Sequence, residues 1–247
     1  MRNVATLTKR ELIAYFLSPM AYIILTVFLI LIGYLFFQSV VMSPQPRADM
    51  IGTLWFIGFV WIFVLPLLTM RLFSDEFESG TIETLMTAPV TTLEVVLSKY
   101  LASLVFLLVL VLPTVLYAAV LFAYGKPDPG PILTGYLGLF LLGALYLSVG
   151  MVASACVRTQ IGAAVISIVA LFLLYILGFI VRPDAVGPVS KALRYISFTT
   201  HFFQEEPSVP GAFLRGIIDT RDVIYFLTMS LFCIFLTTVL VTVRRWR

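Results

Sequence analysis

The sequence predicts an all-α integral membrane protein with six transmembrane helices. A cytoplasmic interfacial helix should precede them, a short helix should join spans 2 and 3, and short outer helices should join spans 5 and 6. Two observations carry this. Of 247 residues, 61% are hydrophobic and only 12% charged, with a mean hydropathy of +1.06. Soluble domains hold about twice that share of charge. The apolar residues also fall into six runs, each long enough for the roughly 20 helical residues that cross a hydrocarbon core.

The runs are placed at Met20–Val41, Ile51–Phe73, Tyr100–Tyr124, Ile132–Val157, Ile161–Val181 and Val223–Val243. Lipid cannot satisfy free backbone groups, so each should be a helix. None alternates as a membrane β-strand would. Before them, Arg2–Leu17 reads as an amphipathic interfacial helix, with residues 1–19 as its segment. Val4, Ala5, Leu12, Tyr15 and Phe16 share one face, and Arg2, Asn3, Thr6, Lys9 and Arg10 lie largely opposite. Leu7 and Ile13 fall off the apolar arc and Thr8 falls on it. Thr8-Lys9-Arg10-Glu11 also has the form of a capping box.

Local punctuation supports the assignment. Ser18-Pro19 reads as an N-cap followed by proline at the first helical position. Thr91 to Glu94 reads as a capping box opening span 3. Pro66 and Pro113 fall inside spans and should kink them. In span 4, the small residues Gly143, Ala144, Ser148, Gly150 and Ser154 recur at helical spacing and predict close packing, within the subunit rather than at a seam between subunits. The outer segment, residues 182–222, contains "VSKALRYISF" and "GAFLRGIIDTRD", read as short helices at the outer interface. One membrane domain, residues 1–247, is expected, without internal repeats.

Basic residues choose the orientation. Arg2, Lys9, Arg10, Arg71, Lys99, Arg158, Arg244, Arg245 and Arg247 gather on one side. The short loops opposite hold only Arg47 and Lys126. Both termini should therefore be cytoplasmic, in a multi-pass protein of the cytoplasmic (inner) membrane. The net charge of +3 comes from scattered residues and does not suggest a nucleic-acid partner.

Much chemistry is missing. The middles of the spans lack the carboxylates, histidines and arginines of ion-coupled transporters. No phosphate-binding loop is present, and "AYGKP" lacks both the earlier glycine and the following Ser or Thr. The two cysteines, Cys156 and Cys233, read as small buried residues, with no disulfide or metal pattern. His201, followed by Glu205 and Glu206, is the one place where a membrane-embedded enzyme could keep a site. Otherwise His201 reads as a surface histidine at the lipid–water boundary.

The stretch "FSDEFESGTIETLMTAPV", Phe73–Val90, stands apart. Span 2 should leave the bilayer near Arg71 and Phe73, putting Asp75, Glu76 and Glu78 in water. Gly80 breaks that helix or caps a new one. With Gly80 as N-cap, Glu83 meets the free N–H groups and positive dipole end of the new turn. Ile82, Leu85 and Met86 then form an apolar face, and Pro89 ends the helix. A solvated connector needs no such face, so the helix expects a partner.

These residues, in the pattern E-x-x-x-G-T-x-E-x-L-x-x-x-P on Glu76, Gly80, Thr81, Glu83, Leu85 and Pro89, resemble the cytoplasmic signature of the type-2 ABC exporter permeases. Span count, N-terminal helix and outer helices resemble that family as well. The outer "HFF…RGIIDTRDVIYFL" resembles the gliding-motility-type permeases, and more loosely the copper-maturation type, with "QEEPSVPGAFL" as extra length. The resemblance implies a non-catalytic membrane subunit for export or mechanotransmission, paired with a second permease chain as homodimer or heterodimer. Each chain would dock on a cytoplasmic ATPase, which would hold the ATP and Mg; this chain would carry no cofactor. Residues 74–91 would be the coupling segment. Glu76, Glu78, Gly80, Thr81, Ile82, Glu83, Leu85, Met86 and Pro89 would form the ATPase interface, with Lys9, Arg10 and Glu11 on the N-terminal helix beside it. His201, Glu205 and Glu206 would meet an extracytoplasmic accessory protein. A membrane-embedded enzyme and a non-transporting ATPase anchor remain the alternatives.

Overall fold

The structure is a computed structural model that describes residues 2–42, 49–80, 90–180, 187, 192–193, 195–206 and 209–245. Six described helices are long and apolar enough to cross a membrane: Pro19–Val40, Ile51–Glu78, Thr92–Tyr124, Pro129–Cys156, Gln160–Phe179 and Thr220–Arg244. These are the six predicted spans, mostly extended by a few residues at their polar ends. The helices are numbered α1 (Arg2–Leu17), α2 (Pro19–Phe36), α3 (Ile51–Thr69), α4 (Arg71–Glu78), α5 (Thr92–Val111), α6 (Val115–Tyr124), α7 (Pro129–Cys156), α8 (Gln160–Ile180) and α9 (Thr220–Arg245).

Both interior prolines act where expected. Pro66 removes one backbone donor, and α3 gives way to α4 at Met70 one turn later. Pro113 sits in a 3-10 turn, Leu112–Thr114, that separates α5 from α6 within span 3. Tyr136 of span 4 donates to the Thr114 carbonyl at 2.8 Å, so the kink is held from outside its own helix. The Thr91 capping box forms in full: Thr91 Oγ1 accepts from the Glu94 N–H, and the Glu94 carboxylate accepts from the Thr91 N–H. Ser18 has the extended N-cap backbone before Pro19, but its hydroxyl caps nothing in α2. It accepts instead from Arg71 at 3.3 Å.

Span 4 is the axis of the bundle, with 72% of its apolar window buried against 28–50% for the others. Its small residues are the reason. A Cβ on Gly150 would lie 2.1 Å from Thr69 Oγ1, and one on Gly143 2.8 Å from Leu107 and Trp61. The predicted small-residue packing is therefore internal. Large apolar side chains such as Ile30, Leu173 and Phe235 face outward on spans 1, 5 and 6.

The N-terminal helix forms over its predicted range, but its buried face is rotated from the predicted one. Val4, Leu7, Thr8, Glu11, Leu12 and Tyr15 are the half-buried positions, whereas Ala5, Ile13 and Phe16 are exposed. The surface it meets decides this. Helix α1 lies along α5, where Tyr15 stacks on Phe106 at 5.2 Å and Glu11 reaches Lys99. A polar residue with an internal partner belongs inside, and a wheel weighted by hydropathy cannot know that partner. The Thr8–Glu11 capping box does not form: Thr8 is mid-helix and donates to the Val4 carbonyl.

The outer segment departs from expectation in its second half. Residues 192–193 and 195–196, inside the first predicted outer helix, are helical, but the second predicted helix is replaced by other structure. A π-turn, Thr199–Phe203, leads into a small antiparallel ribbon, β1 (Gln204–Glu206) with β2 (Val209–Pro210). A 3-10 turn, Ala212–Arg215, follows. Phe198, Phe202, Phe203, Phe213 and Leu214 are fully buried. Phe213 lies on span 4 where a Cβ on Gly138 would come within 2.5 Å. Thr134 donates to the Phe213 carbonyl at 2.6 Å, and Ser197 and Thr199 donate to the Leu174 and Tyr175 carbonyls. Five large apolar side chains sink into the bundle, which no helix lying on the surface would allow. The described residues of the extra length "QEEPSVPGAFL" form this ribbon and the turn after it. Cys156 is exposed at the end of α7, against the buried position expected, and Cys233 is half-buried.

Candidate functional site

The predicted coupling segment is described as far as Gly80. Thr81, Ile82, Glu83, Leu85, Met86 and Pro89 lie outside the described residues. What can be built is the stem that carries them, α4.

Helix α4 begins where α3 breaks, so its first N–H groups lack carbonyl partners in their own helix. Ser154 of span 4 supplies the missing acceptor. Its Oγ accepts from the N–H groups of Phe73 and Ser74 at 3.0 and 3.2 Å, and donates to the Met70 carbonyl at 3.0 Å. Ser154 is fully buried, so no water can take its place. At the far end, Ser79 donates through its N–H and its hydroxyl to the Asp75 carbonyl. Gly80 then takes φ +70°, the left-handed conformation that a glycine adopts without strain. Gly80 therefore breaks the helix.

The sides of α4 are held too. Lys99, from the second turn of α5, is only 2% exposed. Its ammonium donates to Glu76 at 2.7 Å, lies 3.5 Å from Glu11 of α1 and stands 5.3 Å from the Phe73 ring centroid. A buried ammonium is tolerated only with partners, and here the partners join three elements. Arg71 bonds Asp75 at 3.1 Å and reaches Ser18 at the start of span 1. Arg244, near the end of span 6, stacks over Phe77 at 4.6 Å and donates to the Cys156 carbonyl of span 4. Tyr15 of α1 donates to the Leu68 carbonyl at 3.3 Å. Burial first, and the Glu11 charge second, push this phenol well above its ordinary pKa, so it stays a donor.

Spans 1, 3, 4 and 6 thus all hold one eight-residue helix, and the N-terminal helix is linked to it through Lys99 and through the Leu68 carbonyl at the end of α3. Of the predicted interface residues, Glu78 and Gly80 are exposed, while Glu76 is turned inward to Lys99 rather than to water. On α1, Lys9 and Arg10 are exposed; Glu11 faces Lys99 and is also paired with Arg10 at 2.7 Å. Sequence reasoning used Lys99 only as an orientation charge and Ser154 only as a small residue. One signal was available for Lys99: a cation eight residues into a capped helix, among Leu97, Tyr100 and Leu101, has no water to go to.

At the opposite end, His201 is not a surface histidine. It is 7% exposed and stacked on Tyr225 at 3.9 Å. Its Nδ1 lies 2.7 Å from an Asp222 carboxylate oxygen and its Nε2 lies 3.1 Å from the Tyr195 carbonyl. Both ring nitrogens are occupied by neighbouring oxygens and the ring is buried, so His201 is built into the packing rather than presented to a substrate. Burial also removes His201 from an accessory-protein surface. Among the described residues, no three His, Cys, Asp or Glu side chains stand together as a metal site. The side chains of Glu205 and Glu206 lie outside the described parts.

Fold and site together define a multi-pass helical membrane protein whose polar contacts converge at one end on the stem of the loop between spans 2 and 3. The chain belongs to the ABC-2 type transporter family, whose profile it matches over residues 2–205. Its six-span body is the membrane permease part of such a transporter. It is 31% identical over 160 residues to the probable multidrug ABC transporter permease YbhS of Escherichia coli K12, and equally to YbhS of E. coli O157:H7. The match covers 62% of this chain and 40% of those relatives, so the chain spans well under two thirds of their length.

Proposed function

We propose that this chain is the membrane half of an ATP-driven exporter or mechanotransmitter, with residues 74–91 docking on a separate cytoplasmic ATPase. One observation carries the reading: α4, the stem of that segment, is tied to spans 1, 3, 4 and 6 and to α1. A force applied at Thr81–Pro89 would be delivered at once to most of the bundle. A connector with no load to transmit would need none of these ties. ATP and Mg belong to the ATPase partner, and ATP binding there biases a bistable membrane domain. A second permease chain completes the unit. Both termini face the cytoplasm across the inner membrane, since Arg10, Arg71, Lys99 and Arg244 collect at the α4 end. Docking falls to Glu78, Gly80, Thr81, Ile82, Glu83, Leu85, Met86 and Pro89, flanked by Lys9 and Arg10. The name of the relatives, multidrug permease, supports drugs as the cargo class.

The test is copurification with the ATPase encoded nearest to this chain, for wild type and Glu83→Arg. Stable wild-type association that the reversal weakens about tenfold or more supports docking. Association with no ATPase, by protein that remains folded, contradicts it.

The β1–β2 ribbon favours a second, compatible role at the other end. Its first strand contains the Glu205–Glu206 step, which we take as the place where an accessory protein would meet the chain. Replacing both glutamates by lysine should weaken capture of that partner while leaving ATPase association intact. Unchanged capture would remove the role.

A further inference from the structure

His201 is the single histidine of the chain, and both of its ring nitrogens face oxygens that accept. The Tyr195 carbonyl, 3.1 Å from Nε2, has no hydrogen to give at any pH. The Asp222 carboxylate, 2.7 Å from Nδ1, has none while it is ionised. A neutral imidazole carries one N–H and one lone pair. With the N–H on Nδ1, the Nε2 lone pair would point at the carbonyl oxygen. With the N–H on Nε2, the Nδ1 lone pair would point at the carboxylate. Only the imidazolium donates to both.

The surroundings supply one countercharge. Asp222 and Tyr225 face the ring from span 6, with Tyr225 stacked on it, and Tyr195 meets it edge-on from its own segment. Phe226 adds an apolar edge. Asp219 accepts the Arg221 N–H at 2.8 Å at the head of span 6, where the Arg221 side chain is exposed. Arg215, on the 3-10 turn whose Phe213 meets Phe226, is exposed as well. From spans 4 and 5, Tyr146 and Tyr175 reach the neighbouring rings of Phe198 and Phe203.

The Tyr195–Phe203 segment joins two spans. Tyr225 of span 6 donates to the Ile196 carbonyl at 2.5 Å, and the His201 ring adds a second tie from span 6 to Tyr195. Ser197 and Thr199 donate to the Leu174 and Tyr175 carbonyls of span 5. One fastening between spans 5 and 6 therefore needs a proton.

We infer that His201 is a proton-operated latch. Charged, it fastens this segment to span 6; on giving the Nε2 proton to solution, it lets the Tyr195 carbonyl go and loosens span 5 from span 6. Imidazole changes charge between about pH 5 and 8. The latched form holds one proton more than the released form, so latching is complete at lower pH and lost as pH rises. Tyr195 is 50% exposed, which gives the freed carbonyl access to water. That the pH sensed is the extracytoplasmic one rests on the proposed orientation; the latch itself does not.

The experiment is NMR of the full chain in nanodiscs, purified without a histidine tag and nitrogen-labelled at histidine alone. His201 then gives every ring signal. Between about pH 5 and about pH 9 the ring should pass from two N–H groups to one. Asp222→Asn removes the countercharge and should lower the midpoint by about one unit or more. Spin labels at Ile196→Cys and Ile224→Cys, both exposed positions, report the latch in a background without Cys156 and Cys233. They should separate through the same midpoint, and His201→Gln should abolish that response. One N–H throughout, two throughout, or a midpoint that Asp222→Asn leaves in place overturns the inference. So does a titration without label separation, a result that needs no His201 variant to fold. A separation that still follows pH in His201→Gln also overturns it. Failed ATPase docking would leave the latch standing, because neither readout involves the ATPase.

Discussion

Lys99 and Ser154 show how single side chains are committed by what they would otherwise leave undone. Lys99 is buried with Glu76 and Glu11 as its neighbours. Replacing it by Met strands Glu76 and leaves Glu11 with Arg10 alone, and breaking such a buried group typically costs about 3–5 kcal/mol. Thermal unfolding in detergent should therefore show a large fall in midpoint for Lys99→Met. The double variant Lys99→Met/Glu76→Gln should recover part of it, since the stranded charge is gone. Equal losses in both would mean that the pairing contributes little. Ser154→Ala removes the acceptor for two N–H groups at the α4 start, a loss of about 2 kcal/mol. The same assay should place it between wild type and Lys99→Met.

At the scale of elements, the decisive one is the short helix after a break. Pro66 makes a break near Met70 legible in the sequence, and Gly80 marks the far end of α4. The bonds that hold it were not legible. They come from Ser154, Lys99 and Arg244, at distances of 81, 23 and 167 residues along the chain from Phe73, Glu76 and Phe77. Hydropathy and capping are local quantities, so the spans, the Thr91 box and the small-residue face of span 4 could be read. The rotation of α1 could not, because Glu11 is inside only by virtue of Lys99. The second outer helix failed for a related reason: Phe213 looks interfacial until Gly138 of span 4 leaves room for it. Gly80→Ala tests the helix end. Forcing a Cβ into the left-handed region costs about 1 kcal/mol, and no neighbour crowds the site. Stability should fall slightly while ATPase association falls more, because the loop leaves α4 at a changed angle. Loss of stability without loss of association would reduce Gly80 to a helix stop.

At the scale of the whole molecule, one end of the bundle is a sealed aromatic cap and the other a set of ties around α4. His201 belongs to the cap, fixed between Asp222 and Tyr195, and anchors span 6 at that end. Motion introduced at the α4 end should therefore carry α1 and α4 together and be felt as a change relative to the capped end. Distances between spin labels test this most directly. In a background without Cys156 and Cys233, labels at Glu78→Cys and Lys9→Cys report on α4 against α1, and labels at Glu78→Cys and Lys126→Cys report on α4 against the outer end. With the ATPase bound, adding ATP should leave the first distance unchanged and shift the second. A first distance that changes, or a second that does not, would contradict the central claim that α4 and α1 move as one body to drive the membrane helices.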